Sequence, residues 1–407
     1  MHDRVREQYE AYPYPARDPA RELDFKLDCV SSRLSAIDQY IFGGRRNWSK
    51  PFRALVAGGG TGDVALHLAS QMQEAAIPGA VVYLDISRAA KKVAEARAVA
   101  RQLTNIEFRT GSLLDVSEAE FGLFDFIDCS GVLHHLEEPG AGLKALARVL
   151  GKHGGLNIMV YGRTGRAGVY ELQRVARRLA PPSSSIEERL AVLRRLLAAL
   201  PSSHLLQRGY LGIDPNADDA ELVDLYLHAR DQPFSVNELQ TITQAAGLKI
   251  VKFLPGALYD IEATTTDPAL IKAVSSLPPI DRAALVEDFG CRINKHIFCC
   301  VHESRTVPRL SPSDVDVVPV LISGSEDKPF DKAVTGQVVQ LAYEYLQAKV
   351  RLNDEQLNIL RLIDGRRTLR TIIRASGGDQ SVYRDAFAAL YDAFNKMEIM
   401  HLRGVTE

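Results

Sequence analysis

Cysteine is scarce, and what there is forms no pattern that a metal or a disulfide framework needs. Cys29, Cys129, Cys291, Cys299 and Cys300 are an odd number, contain no C-x-x-C pair and sit mostly in apolar stretches. That usage fits reduced thiols packed in an interior, and no metal is expected. The chain also lacks net charge, with 49 Lys plus Arg against 51 Asp plus Glu. No whole-chain field collects nucleic acid or anionic lipid, so any polyanion site must be local. The opening MHDRVREQYEAYPYP has no apolar run of a secretory signal, and no later stretch supplies the roughly 18 uninterrupted apolar residues of a membrane span. A cytoplasmic protein with no membrane attachment is the expectation, and no internal repeat is visible.

What the sequence does supply is a globular composition, 46% hydrophobic and 25% charged over 407 residues. That length exceeds what one core serves at roughly 100–200 residues per domain, so two or three units are expected. From Phe52 to Tyr161 short β-rich runs alternate with helical patterns: RALVA, DVALHLASQMQEA, AVVYLDI, RAAKKVAEARAVARQL, IEFRT, FDFIDCSG, AGLKALARVL and GGLNIMVY. Such alternation predicts right-handed crossovers and an α/β fold, a mostly parallel sheet with helices on both faces. A helical, Arg-rich stretch over about 163–237, broken by PPSSS, predicts an insertion. SVNELQTITQAAGL, KIVKFL and HIFCCVH then return to helix, strand and a final strand of the same sheet. The division is residues 1–50 as an N-terminal lid or helical segment, 51–303 as the α/β domain with its insertion, 304–331 as a linker, and 332–407 as a separate small unit. In that unit VVQLAYEYLQAKV, EQLNILRLI, LRTIIRAS and SVYRDAFAALYDAFNKM all read as amphipathic helices before IMHLR.

RALVA runs straight into Gly58, Gly59, Gly60, Thr61, Gly62 and Asp63, and then into a helix. Glycines there allow a sharp turn and bring bare peptide against a ligand. Read from Gly60, the same letters satisfy the G-x-G-x-x-A dinucleotide pattern through Gly62 and Ala65, with Asp85 at a strand end further on. A nicotinamide-dependent oxidoreductase is therefore an alternative. Asp63 argues against it, because a carboxylate in the first helical turn stands where a pyrophosphate would gather backbone N–H groups and the positive dipole end. Asp85 suits a pair of ribose hydroxyls, or else simply caps the helix RAAKKV.

Together LVAGGGTGD, VVYLDIS, IEFRTGSLLDV, FDFIDCSGVLHHLEEP and LARVLGKHGGLNIMVYG make the stretch Arg53–Tyr161 resemble class I S-adenosylmethionine-dependent methyltransferases, in particular the methyltransferase type 12 group. The resemblance implies a Rossmann-like seven-stranded methyltransferase fold, S-adenosylmethionine as cofactor, and methyl transfer to an O or N nucleophile of a small-molecule or protein substrate. It assigns the methionine and ribose portions of the cofactor to Gly58, Gly60 and Gly62 with their neighbours Ala57 and Asp63. The ribose falls to Asp85 beside Ile86, the adenine border to Ser112 and Leu113, and a place after the fourth strand to Ser130. Two positions depart from the family pattern. Val56 stands where the first strand usually carries an acid, and Ser112 where an aspartate is common. Those departures, with the additional C-terminal unit, keep open a cofactor-binding regulatory module without catalysis. REQYEAYPYP and DLYLHARDQPFSVNELQTITQAAGL are similar to a bacterial branch of the group, which extends the resemblance over most of the chain.

Methyl transfer is an in-line displacement, so the protein must align the nucleophile and exclude water, with a base needed only when the nucleophile arrives protonated. His134 and His135 follow the fourth strand at the sheet edge where ligands of open α/β sheets bind, and His135 is the preferred candidate base. HHLEEP also reads as helix-entry punctuation. Tyr9, Tyr12 and Tyr14 lie in a Pro-interrupted segment, expected either to fold over the cofactor as a lid or to pin the terminus to the core, and Tyr161 joins them on the substrate side. Arg163, Arg166, Arg174, Arg177, Arg178, Arg189, Arg194 and Arg195 form a local basic cluster. Aromatics interleave with it only sparsely, so a solvated helical face is preferred over a nucleic-acid platform. LNDEQLNILRLIDGRRTLRTIIRA, with the long helical pattern and IMHLR after it, resembles winged-helix modules. Docking or homodimerisation is expected of that unit ahead of nucleic-acid binding, although Arg366, Arg367, Arg370 and Arg374 cluster around its second helix.

Overall fold

The computed structural model describes residues 2–208, 213–322, 336–343 and 346–405. Its centre is a seven-stranded sheet of β1 (Phe52–Ala57), β2 (Gly79–Asp85), β3 (Ile106–Thr110), β4 (Phe124–Ser130), β5 (Leu150–Tyr161), β6 (Leu248–Leu254) and β7 (Lys295–His302), in the order β3-β2-β1-β4-β5-β7-β6. The first five strands run parallel, and β7 is antiparallel to both of its neighbours. β1 shows why both faces need cover. Phe52, Ala54 and Val56 enter one apolar cluster while Leu55 and Ala57 enter another. Period-two burial on both sides is what a doubly covered parallel sheet requires. On the first face lie α2 (Leu34–Ile41) and α3 (Asp63–Glu74), which contribute Ile37, Ile41, Leu68 and Met72. The strand order reverses between β1 and β4, and this switch point opens a crevice at the strands' C-terminal ends.

Between β5 and β6 the helices Ala167–Leu179, Ile186–Ala198, Leu205–Arg208 and Asp219–Tyr226 gather Leu172, Leu193, Leu206 and Leu222 into a small core of their own, against which Tyr12 packs. Four of the eight arginines of the basic cluster are paired with acids. Arg163 meets Glu238, Arg166 meets Asp231, Arg174 meets Glu171 and Arg194 meets Asp219. All five cysteines are free, and Cys129, Cys299 and Cys300 are buried. Among the described residues no helix is long and apolar enough to cross a membrane.

The C-terminal region corrects three expectations. VVQLAYEYLQAKV is a hairpin, β9 (Val338–Tyr343) paired antiparallel with β10 (Leu346–Arg351). Exposed positions alternate with buried or half-buried ones along both strands, and β-branched Val with Tyr favours that pleat over a helix. The expected linker contains β8 (Val317–Leu321), which pairs antiparallel with β11 (Met400–Gly404). Residues 323–335, where linker and C-terminal unit were expected to meet, lie outside the described residues. The region is also not packed apart from the domain. Leu357, Ile372, Phe387, Phe394 and Leu402 belong to the same apolar cluster as Leu55, Ile127 and Phe298 of the sheet. Helix, Asp364-Gly365 turn, helix, long helix and strand come in the expected order, but the hairpin precedes the helices, and β11 finds its partner in β8. Arg370, expected on a recognition-like helix, is held by both oxygens of Asp316 at 2.8 Å.

A buried polar knot fastens this region to α2. Tyr40 Oη donates to Glu398 at 2.9 and 3.1 Å, Asn395 Nδ2 donates to Tyr40 Oη at 2.9 Å, and His401 Nε2 lies 3.1 Å from Glu398 Oε2. Tyr40→Phe removes one donor from a buried carboxyl group and is expected to destabilise the whole fold by roughly 1–3 kcal/mol. Urea denaturation followed by fluorescence measures this, and an unchanged midpoint would show that the Tyr40–Glu398 hydrogen bond contributes nothing to stability.

Candidate active site

The glycine loop is built by contacts that only glycine allows. Gly58 and Gly60 have φ of 83° and 52°. A Cβ on Gly59 would meet the Tyr83 ring at 2.3 Å, and one on Gly60 would meet the Tyr14 carbonyl oxygen at 2.6 Å. Asp85, at the end of β2, accepts from Gly60 N and Ser87 N, both at 2.8 Å. Burial raises its pKa, and the N–H groups of Ser87, Gly60 and Ile86 pull it back. The cap of the following helix, α4 (Arg88–Ala100), is Ser87, whose hydroxyl accepts from Ala90 N at 3.0 Å. Asp85 is thus not spent on capping, and a carboxylate offers about four acceptor sites, more than these backbone N–H groups use.

Around this loop lies a cavity of about 360 Å³, within the range of small-molecule sites. Gly58, Gly60, Asp63, Asp85, Ile86, Ser112, Leu113 and Ser130 line it beside the strand ends, with His135 and Tyr161 towards the insertion and Tyr9 and Tyr14 from the N-terminal segment. Ala57, Gly62, Tyr12 and His134 do not line it. Gly62 instead opens α3, where a Cβ would press on Leu66 and Ala94. His134 is fully buried, stacks on Tyr161 at 4.0 Å, and has no hydrogen-bond partner on either ring nitrogen among the described residues. It braces the loop.

Asp63 also needs correction. It is not a bare negative charge at the head of α3. Arg17 grips it through Nε at 3.0 Å and Nη2 at 2.6 Å, and Arg97 Nη1 reaches it at 2.6 Å. Burial alone would raise its pKa, but the two guanidinium groups hold it below the usual range. A compensated carboxylate repels phosphate weakly, so Asp63 does not by itself exclude a dinucleotide. Its visible work is to tie residues 14–17 over the loop, where Thr61 N and Oγ1 also donate to the carbonyls of Tyr14 and Pro15.

The other end of the cavity holds a polar cluster that sequence spacing does not reveal. Tyr9 Oη donates to Asp224 Oδ1 at 2.9 Å and Tyr161 Oη to Oδ2 at 3.1 Å. His228 Nδ1 accepts from Arg230 N at 3.0 Å, which puts its proton on Nε2, 3.2 Å from Tyr9 Oη. His135 Nδ1 lies 2.6 Å from the Arg230 carbonyl oxygen, so it carries the proton and leaves Nε2 with a lone pair. Arg166 lies 3.6 Å over the Tyr161 ring. His135, Asp224 and His228 bring one potential metal-ligand atom each within 4.8 Å of one another. The two imidazoles, however, are stacked 3.6 Å apart at 21°. Their in-plane lone pairs run side by side instead of converging, and both Asp224 oxygens already accept from phenols. The geometry is that of a hydrogen-bonded cluster.

Residues 55–156 match the family model described as a methyltransferase domain. That match runs from within β1 to within β5 and leaves the rest of the chain outside it. Over 252 residues it is 31% identical to an uncharacterized protein of Synechococcus sp., a match that takes in 60% of this chain and 58% of that relative's length. Its fold is shared with PKMT2 from Rickettsia typhi, with a TM-score of 0.68 at 12% identity over 94% of this chain and 77% of that one. A second structure of PKMT2, in complex with AdoHcy, gives a TM-score of 0.63 at 13% identity over 92% and 76% of the two chains. The shared fold therefore extends well beyond the methyltransferase domain.

Burial pushes the His135 imidazole down to about 4 and that of His228 to about 3. An unfolded histidine protonates near 6.5 and folded His135 near 4, so between those values unfolding takes up a proton and stability falls as pH falls. Relative to a His135→Gln variant, the wild type is expected to lose roughly 3 kcal/mol as pH drops from about 7 to about 4, with no change in the difference above pH 7. Paired denaturation series across that range measure it, and a pH-independent difference would mean that His135 is not buried in neutral form.

Proposed function

We propose that this protein is an S-adenosylmethionine-dependent methyltransferase whose acceptor reaches the cavity from the side of His135, Tyr161 and Asp224. The observation that carries the reading is the continuity of one cavity from the glycine loop and Asp85, inside the stretch 55–156 that matches a methyltransferase domain, to Tyr161 and Asp224 beyond it. The residues present suit the cofactor. Asp85 keeps acceptor sites for ribose hydroxyls, the tight turn through Gly58 and Gly60 forms part of the cavity wall, and Ile86, Ser112 and Leu113 border a slot for adenine. When bound, S-adenosylmethionine supplies a methyl group activated by its sulfonium.

The chain's own work is positioning. His135 Nε2 offers a lone pair to an O–H or N–H of the acceptor. Because the imidazole is neutral and titrates near 4, it orients that group by accepting a hydrogen bond and holds a proton poorly at neutral pH. Asp224 fixes the phenols of Tyr9 and Tyr161, and α1 (His2–Ala11) with residues 14–17 covers the cavity and excludes water. The acceptor is an O or N nucleophile of a small molecule or a protein.

Asp85→Ala is expected to weaken S-adenosylhomocysteine binding by about 1–3 kcal/mol in a protein that still melts cooperatively. Calorimetric titration measures it, with NAD as the comparison ligand. An unchanged dissociation constant, or tighter binding of NAD, would sink this reading. Incubating wild type and His135→Gln with methyl-labelled cofactor and cell lysate tests the other end. Label incorporation is expected to fall far more than cofactor affinity, and equal incorporation by the two proteins would reduce His135 to loop support.

A further inference from the structure

Asp128 on β4 stands beside Val56 on β1 and beside Asn157 on β5 in the parallel register. Paired residues on neighbouring strands point to the same face of the sheet. Val56, where an acid was expected, and Asp128 both line the cavity. Asp128 is 1% exposed, and its Oδ2 accepts from Asn157 Nδ2 at 2.9 Å. Its Oδ1 has no hydrogen-bond partner among the described residues, and neither has Asn157 Oδ1. The Asn157 amide cannot resolve this by turning over, because its nitrogen is engaged by Asp128 and lies 3.4 Å from Ser130 Oγ. A buried carboxylate oxygen on a cavity-lining residue, without a donor among the described residues, calls for a cationic group with N–H donors. Asp85 makes no such demand, since both of its oxygens already accept backbone N–H groups.

We propose that Asp128 binds the α-ammonium of S-adenosylmethionine, so that the acid absent from β1 at Val56 is supplied by the next strand. This rests on the methyltransferase reading above. Burial raises the Asp128 carboxyl to about 6, against the opposing pull of Ser130, Asn157 and Ser31, so it is ionised at neutral pH and gains a counter-charge when an ammonium arrives. A nicotinamide dinucleotide or a simple nucleoside brings no primary ammonium and leaves the Asp128 carboxylate without its counter-charge.

The test is calorimetric titration of wild type and Asp128→Asn with S-adenosylhomocysteine and with 5′-methylthioadenosine, which keeps the nucleoside and the sulfur but lacks the amino acid. Asp128→Asn is expected to bind S-adenosylhomocysteine about ten-fold more weakly or worse, with its affinity for methylthioadenosine unchanged. Equal weakening towards both ligands, or none towards S-adenosylhomocysteine, overturns the proposal. If the variant does not melt cooperatively, the wild type answers with an S-adenosylhomocysteine analogue in which hydrogen replaces the amino group. Binding weaker by about ten-fold or more is expected, and equal binding overturns the proposal. Failure of wild type to bind either nucleoside would strike instead at the methyltransferase reading beneath it.

Discussion

The Arg97 guanidinium, with no exposed surface, is the fixed point from which the cavity is organised. It joins Glu22 through Nε at 2.5 Å, the Thr61 carbonyl at 2.8 Å and Asp63 at 2.6 Å. Arg101 pairs with the same Glu22, and Arg17 with the same Asp63. Burying so many charges costs several kcal/mol per ion unless each finds its partners. Here the partners come from three parts of the chain, residues 17–22, the head of α3 and the end of α4, so the network forms only when all three are in register. What it fixes is the path of residues 14–17 across the glycine loop, and with it the wall of the cavity.

The same N-terminal stretch reaches the far end of the cavity. Tyr9 lies eight residues before Arg17 and donates to Asp224, while Glu10 accepts from the first backbone N–H groups of α4 at 2.7 and 3.0 Å. One segment thus touches the glycine loop, the helix that follows Asp85 and the insertion that carries Asp224 and His228. Its docking energy is spread over charged and polar contacts with modest apolar burial, a balance that favours a segment able to open locally without unfolding the sheet.

β1, the glycine loop and Asp85 are legible in the sequence because strand period, turn chemistry and strand-end acid all lie within some thirty consecutive residues of one βαβ unit. Asp224 and His228 are not. They stand in a helical insertion whose local pattern is that of any amphipathic helix, and Tyr9 is 215 residues from Asp224 in the chain. No local signature announces a pairing of that range. Asp63 is visible, but its two arginine partners are not, so the charge argument drawn from it fails. The hairpin β9–β10 is illegible for a different reason. Apolar residues in VVQLAYEYLQAKV fit both a helical and an alternating pattern, and only pairing across the turn decides between them. Asp128 stands in plain view, but its neighbour Val56 lies on another strand, and that relation needs the register of the sheet.

The two ends of the cavity differ in how completely their polar groups are satisfied, and this difference separates binding from orientation. At the His135 end, Asp224 accepts from two phenols, both stacked imidazoles are neutral, and Arg166 is engaged by Tyr161 and Asp231. Such a cluster is rigid and gains little from any one charged ligand, which suits a surface that aligns a nucleophile. At the glycine end, Asp85 has acceptor capacity to spare and Asp128 has an oxygen with no donor. Unsatisfied acceptors of that kind raise the free energy of the ligand-free protein and are relieved when a donor arrives. The sheet holds the demand for positive charge in its floor, and the N-terminal segment and insertion set the geometry above it. On the proposed assignment, a ligand with an ammonium at one end and an activated carbon towards the other is bound by the first part and presented to the second.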